Sequence, residues 1–376
     1  MVTRTNAAAE PLVGLTVGVT AARRRDELVA LLERRGAKVV GTATLSIIPL
    51  REDHVLRLAT ERCLVEPLDY VVATTGVGWR GWMNAAEGWG RSAELRRACE
   101  AATVISRGPK ATGAVRASGL RETYSPGSEA NDELLHWLLA RDLRGRRIAL
   151  QEHGAPLGEF ASILRERGAE VIELPVYRWG PPEDPIAVRR LVEQVIRNEL
   201  HALTFTSAPA IGAFLQAADE LGRHEEVLTA LRTSVLPVCI GGICAKPLTD
   251  EGVQAVWPER GRLGSLVRTV TETLPGRVRR ELDTGTDRLI LQGSAVLVEG
   301  GVISLSPVSA AVLRALAERP GWVLSRAELL RRVWRDTSAD EHAVEAAVAR
   351  LRTSLGPHKG LIKTVTKRGY RLAVAG

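Results

Sequence analysis

Six short turns in the first 250 residues place Gly, Ser, Thr, Arg or Lys where an anion could be held. They read Ala22-Arg23-Arg24, Thr74-Thr75-Gly76-Val77-Gly78, Arg107-Gly108-Pro109-Lys110, His153-Gly154, Thr206-Ser207 and Gly241-Gly242. Each follows a short β-rich run and opens a helical stretch. Backbone N–H groups at a helix N-terminus favour carboxylates or phosphates. Arg23, Arg24, Arg80, Arg107, Lys110 and Arg178 could pair with ligand carboxylates. No turn is a GxGxxG or a P-loop, so no nucleotide motif is present. The four cysteines form no CxxC pair and the seven histidines are scattered, which points to a reduced, metal-free protein without a cofactor. A second set lies near the C-terminus: His342, Ala346, Ala349, Arg350, Arg352 and Thr353, followed by Lys363, Lys367 and Arg368. Small side chains interleaved with Arg, then a basic tip, suit close approach to a phosphate backbone.

The elements that position the turns repeat themselves. LLERRGAKVV at 31–40 matches ILRERGAEVI at 163–172, and DYVVATTGVG at 69–78 matches HALTFTSAPA at 201–210. Gly108 matches Gly241 and Gly119 matches Gly252, at nearly the same offset. Each half alternates β-rich runs (TVGVT, KVVG, YVVATT, ATVIS; RIALQ, EVIEL, ALTFT, LPVCI) with helical stretches ended by glycine. Such βαβ alternation predicts two parallel sheets covered by helices on both faces. The βα turns then gather at the carboxyl edges of the sheets, where open α/β folds bind ligands. Two such sheets side by side leave a cleft. Its expected lining is Arg23, Arg24, Thr75, Gly76, Arg107, Lys110, Tyr177, Arg178, Thr206, Ser207, Gly241 and Gly242. Trp79 and Trp82 could stack on a ligand ring, although packing is the commoner use of such residues.

The C-terminal pattern differs. LPGRVRRELDTGTDR (274–288) has the Pro, Gly and mixed charge of a linker. LILQGSAVLVEGGVISL reads as an antiparallel hairpin around Gly300-Gly301. Ser306-Pro307 opens a helix that Gly321 ends. Ser325 with Glu328 forms a capping box for a second helix. A third helix starts near Asp340, with Val344, Ala347, Val348, Leu351 and Leu355 as one apolar stripe. Its opposite face holds the small and basic set named above. LIKTVTKRGYRLAV makes a final hairpin with Lys367 and Arg368 at its tip. Helix, turn, helix, longer helix and hairpin is the order of a winged helix-turn-helix, which places one helix in the DNA major groove. The charge agrees: residues 284–376 hold 14 Lys and Arg against 8 Asp and Glu, +6, leaving 37 against 36, +1, for the rest. The start, MVTRTNAAAEPLVG, lacks the apolar core of a signal peptide, and no run is long enough to span a membrane. A cytoplasmic location is expected.

The repeat, Pro175-Val176-Tyr177 after GAEVIEL, and Phe205-Thr206-Ser207 before a helix resemble uroporphyrinogen-III synthase over about 12–275. That resemblance implies two flavodoxin-like parallel-sheet domains joined by a two-stranded linker, with the first βα unit belonging to the second half's sheet. It places one discontinuous domain at 12–44 and 178–275, a second at 49–173, and linking strands near Ser46–Leu50 and Pro175–Trp179. The family closes hydroxymethylbilane, a linear polycarboxylate tetrapyrrole, into a ring; here Tyr177 and Ser207 would stand at its catalytic positions. CIGGICAKP departs from the family, placing Ile243 and Cys244 where a Thr-bearing turn is usual. A lost hydroxyl weakens polar stabilisation of a transition state, so the expectation is a binding body rather than a working enzyme, with an active synthase as the alternative.

The last segment, with LSP, GWVLSRAELLRRVW, AVEAAVARLRTSLG and LIKTVTKRGYRL, resembles the effector domain of OmpR-type response regulators. It gives a 276–286 linker and a winged-helix domain at 287–376. The family's receiver domain is replaced by the synthase-like body. Ala347 and Ala349 stand where that family often has histidine and a further basic residue, so base preference does not carry over. The resemblances together imply a transcription regulator that binds promoter DNA. The body would sense a tetrapyrrole-related or other small ligand, or dock a second regulator. Arg335–Asp340 would be the loop facing RNA polymerase. Because uroporphyrinogen III feeds sirohaem, the cofactor of nitrite and sulfite reductases, a nitrite or nitrogen-assimilation regulon is the corresponding expectation.

Overall fold

The computed structural model describes residues 10–50, 54–127, 130–283, 288–299, 301–334 and 340–373. The chain forms two compact units, Met1–Thr44 with Pro182–Gly376, and Leu45–Pro181. The strands run, in chain order, β1 (Thr16–Val19), β2 (Lys38–Gly41), β3 (Ser46–Pro49), β4 (Tyr70–Ala73), β5 (Thr103–Ser106), β6 (Arg147–Gln151), β7 (Glu170–Leu174), β8 (Tyr177–Gly180), β9 (Ala202–Phe205) and β10 (Leu236–Cys239). After these come β11 (Arg280–Asp283), β12 (Arg288–Gln292), β13 (Ala295–Val298), β14 (Gly301–Ser304), β15 (Ile362–Val365) and β16 (Gly369–Leu372).

Two four-stranded sheets have the orders β10-β9-β1-β2 and β5-β4-β6-β7, and every pair in them is parallel. Helices cover both faces, so ALTF of the inner strand β9 and LPVC of the edge strand β10 are both largely apolar and wholly buried. The internal repeat is visible in the register. β1 pairs with β9, Val17 opposite Ala202, while β4 pairs with β6, Tyr70 opposite Ile148. The halves have therefore exchanged their first βα units, as the resemblance implied. An antiparallel ladder of β3 and β8 sets Ser46 opposite Gly180 and Pro49 opposite Tyr177.

The C-terminal domain starts earlier than its composition suggests. Leu263–Val278 is one helix whose Leu263, Leu266, Val267, Val270 and Leu274 pack against Leu12, Leu15 and Leu28 beside the first sheet. Only Arg279 separates it from β11. The stretch read as a 276–286 linker is thus helix and strand through Asp283, and residues 284–287 lie outside the described set. The hairpin expected around Gly300-Gly301 is part of a larger antiparallel sheet, β11-β12-β13-β14. Three helices follow, Pro307–Ala317, Arg326–Val333 and Glu341–Leu355, and then the β15–β16 hairpin. Their caps are side-chain oxygens: Ser306 accepts from Ser309 N–H, Ser325 from Glu328 N–H and Asp340 from Ala343 N–H. The Glu328 carboxylate does not complete a capping box; it accepts from Arg332.

Candidate nucleic-acid interface and ligand-binding edges

The helix Glu341–Leu355 buries the whole stripe Val344, Ala347, Val348, Leu351 and Leu355 in the core of its domain. That fixes its rotation, so His342, Ala346, Ala349, Arg350 and Thr353 are all exposed on the far side. Arg350 has no ion-pair partner among the described residues. Glu345 shares this exposed side but is paired with Arg326 at 2.8 Å. Arg352 behaves differently from its neighbours. Its guanidinium donates to the Ile362 carbonyl at 2.8 Å and to Thr364 Oγ1 at 2.8 Å, and lies over the Tyr370 ring. It braces the long helix against β15 instead of offering a free charge.

The β15–β16 hairpin is fixed at its base by a third stretch of chain. Leu324 and Tyr370 exchange backbone hydrogen bonds of 2.8 and 2.9 Å. Gly369 has φ +130°, and a Cβ there would overlap the Leu324 carbonyl, so only glycine allows this approach. Lys363, Lys367 and Arg368 project from the hairpin, exposed and with no carboxylate partner among the described residues. Lys367 sits at the tip with φ +59°. The exposed helix face and the basic hairpin thus stand on one small core. The loop expected to face RNA polymerase lies, apart from Asp340, outside the described residues.

In the Leu45–Pro181 unit the carboxyl edge of the sheet gathers Thr75, Gly76, Arg107 and Lys110. Thr75 caps the helix Gly76–Gly88, accepting from Gly78 N–H at 3.1 Å. The glycines of this turn have steric reasons. A Cβ on Gly76 would overlap the Lys110 carbonyl, and one on Gly78 would overlap the Gln151 amide. Gln151 is buried and donates to Thr74 Oγ1, Thr75 Oγ1 and the Thr75 carbonyl. Thr75's hydroxyl is therefore committed to the protein. Arg107 is half-buried and its charge, after burial, helps hold His153 below the usual histidine range. His153 stacks on Trp179 and is hydrogen-bonded to Asn131 at 3.2 Å. Lys110 and Arg178 are exposed; Tyr177 is buried among the core side chains of this unit. Arg178 is also near Glu152, whose carboxyl is raised chiefly by burial. Trp79 and Trp82 are fully buried against each other, with their indole N–H groups on Ser118 and Thr60, so they are packing residues.

The edge of the first sheet holds Arg23, Arg24, Thr206, Ser207, Gly241 and Gly242. Arg24 adopts φ +52° and grips Glu27 through two bonds of 2.7 and 2.6 Å, so it is not a free cation. Arg23 is exposed. Ser207 is the N-cap of Ala208–Glu220, yet its hydroxyl makes no capping bond, which leaves it available at the edge. Thr206 is half-buried beside it. At the next turn Cys244 is buried, its thiol directed to the Phe205 carbonyl, while Ile243 is exposed. Trp257 lies against Gly242 and is 45% exposed, a residue the sequence reading passed over. Its signal was an isolated Trp in the otherwise polar turn TrpProGluArgGlyArg (257–262).

Two parallel-sheet halves with exchanged βα units, followed by a winged helix on its own antiparallel sheet, define a two-part protein: an α/β body and a DNA-binding domain. Residues 26–268 match the family of uroporphyrinogen-III synthase HemD, and 300–372 match the C-terminal domain of transcriptional regulatory proteins. The chain belongs to the uroporphyrinogen-III synthase family, with an OmpR-type winged-helix domain following the synthase fold. A mutant uroporphyrinogen III synthase of Thermus thermophilus is similar in structure, with TM-score 0.58 and 29% identity, covering 70% of this chain and 99% of that one. The protein YjjA of Bacillus subtilis is 27% identical over 260 residues, covering 68% of this chain and 94% of its own length. The transcriptional regulatory protein AfsQ1 of Streptomyces coelicolor is 34% identical over 157 residues, 38% of this chain and 68% of its own. Among the described residues, no helix is long and apolar enough to cross a membrane.

Proposed function

We propose that this protein is a transcription regulator whose winged helix binds promoter DNA and whose synthase-like body binds an acidic small ligand related to the tetrapyrroles. One observation carries the reading. The outer face of Glu341–Leu355 is small-sided and exposed, and Arg352 locks it to a hairpin tipped by Lys367 and Arg368. Such a surface reads base edges with Arg350 and holds phosphates with the hairpin. Within the Leu45–Pro181 unit, Arg107 and Lys110 at the carboxyl edge of the sheet, with Arg178 on β8, are the cations proposed for ligand carboxylates. DNA as the partner implies work in the cytoplasm. The test is titration of genomic upstream fragments with the full chain. Sequence-selective binding that Arg350→Ala abolishes supports the reading; uniform binding to all fragments overturns it.

A second reading, an active synthase that also binds DNA, is favoured by one observation. The Ser207 hydroxyl is uncommitted at the sheet edge. Against it, neither Ile243 nor the buried Cys244 offers a hydroxyl to that edge. Measuring hydroxymethylbilane cyclisation separates the two: turnover comparable to a dedicated synthase favours the second.

A further inference from the structure

The β12–β13 turn is not free in solvent. It is seated on the chain that enters β1. Gln292, fully buried, donates from Nε2 to the Pro11 carbonyl at 3.0 Å and to the Val13 carbonyl at 2.7 Å. Its Oε1 accepts from Arg279 at 2.6 Å. The Ser294 N–H and hydroxyl both donate to the Gly14 carbonyl, at 2.8 and 3.1 Å. Two facing glycines make the approach possible. Gly14 has φ +77° and a Cβ on it would lie 2.5 Å from the Gln292 carbonyl; Gly293 has φ +57° and a Cβ on it would overlap the Gly14 carbonyl. Val13 packs with Ala295, Leu297 and Val302 beneath the turn. His201, just before β9, closes the other side: its Nδ1 accepts from Thr16 N–H at 3.0 Å, and its Nε2 faces Gly293.

The structure assigns these residues as a built joint: the DNA-binding domain is clamped to the amino ends of β1 and β9 and moves with the first parallel sheet as one body. A domain on a tether would leave the Pro11, Val13 and Gly14 carbonyls to water. Here they are satisfied by a buried amide and a serine, and a buried amide with all its bonds made is costly to expose. The joint lies at the opposite end of β1 from the Arg23 turn. The four-stranded antiparallel sheet is the docking element, which leaves the helix Glu341–Leu355 and the β15–β16 hairpin exposed for DNA.

Hydrogen–deuterium exchange on the full chain tests this. Residues 11–16 and 290–297 should exchange slowly and at one common rate, because one opening exposes both. Gly293→Ala should accelerate both segments by roughly tenfold, the size of one lost buried hydrogen bond. Residues 344–355 should stay protected, since their core is untouched. Gln292→Leu should do the same without adding a clash. Unlinked rates for the two segments in the unsubstituted chain overturn the joint, and so does protection of 11–16 that survives Gly293→Ala. If neither variant folds, the comparison of the two rates in the unsubstituted chain still decides. None of these readouts involves promoter or ligand, so the joint stands or falls apart from the proposed function.

Discussion

Removing the hairpin-tip cations should change the salt dependence of DNA binding by a calculable amount. Three cations of the hairpin, Lys363, Lys367 and Arg368, are exposed and have no carboxylate partner among the described residues. If each neutralises one phosphate, the slope of log affinity against log salt is about −2.7, at roughly −0.9 per contact. Raising salt from about 50 to about 200 mM then weakens binding roughly 40-fold. The double variant Lys367→Ala, Arg368→Ala keeps one contact, a slope of about −0.9, and a loss of only roughly 3.5-fold over the same range. Arg352→Ala is the internal control. Its guanidinium is spent on Ile362 and Thr364, so the variant should lose up to about tenfold in affinity at every salt concentration, with no change in slope. Fluorescence anisotropy with a labelled duplex of arbitrary sequence measures all three, because the phosphate term does not depend on the target. A double variant with the unsubstituted slope would refute the assignment of the tip to the backbone. An Arg352→Ala slope reduced by a full contact would refute the bracing role.

Three further outcomes follow. Arg350→Ala should cost roughly 1–3 kcal/mol on a selected site and much less on arbitrary duplex, read as the ratio of the two affinities; equal losses on both would make Arg350 a phosphate contact. His201 is held down to about 4 by burial and by the nearby Arg314 charge, so its neutral form is the folded one. Stability from that site is full above its ordinary value near 6.5 and declines as pH falls from about 6.5 to about 4, by up to about 3 kcal/mol; urea midpoints across that range should flatten in His201→Gln, and identical pH profiles would remove the histidine from the account. In the hydroxymethylbilane assay, Ile243→Thr should raise any residual turnover while Cys244→Thr should not, since position 244 faces the Phe205 carbonyl inside the domain; the reverse order would mean the turn is arranged otherwise in solution.

What could be read from the sequence was whatever repeats or alternates. The constant offset between Leu31–Val40 and Ile163–Ile172 disclosed two like halves, because a parallel sheet covered on both faces demands the same apolar runs twice. The stripe from Val344 to Leu355 disclosed the long helix and its free face together, because burying one side of a helix exposes the other. Partners distant in the chain left no such trace. Arg24 and Arg352 have the composition of ligand-binding residues, and only geometry shows one gripping Glu27 and the other Ile362. Gly14 and Gly293 resemble ordinary turn glycines, yet each is required by the other across most of the chain. The supposed linker misled for a related reason: Pro275 and Gly276 are breakers locally, but the buried face of Leu263, Leu266, Val270 and Leu274 outweighs them. β11 was hidden because, of ArgGluLeu (280–282), only Leu282 is buried in the core.

The placement of the joint bears on how ligand occupancy could reach DNA. β1 is four residues, about 13 Å at the usual strand rise, with Gly14 before it and Arg23 beyond it. β9 repeats the arrangement, with His201 before it and Ser207 beyond it. The two strands that lead to Arg23 and Ser207 therefore also carry the DNA-binding domain at their other end. A flexible tether would let a ligand act only by changing local concentration or order. A clamp of buried hydrogen bonds transmits orientation instead. A ligand at the carboxyl edge can change DNA affinity only if it binds one orientation of this body better than another, since equal affinity for both shifts nothing. The coupling would then be of the usual size, about 1–3 kcal/mol, and it should vanish in Gly293→Ala while ligand binding itself survives. Loss of both together would place the ligand's effect in the folding of the first sheet and not in its orientation.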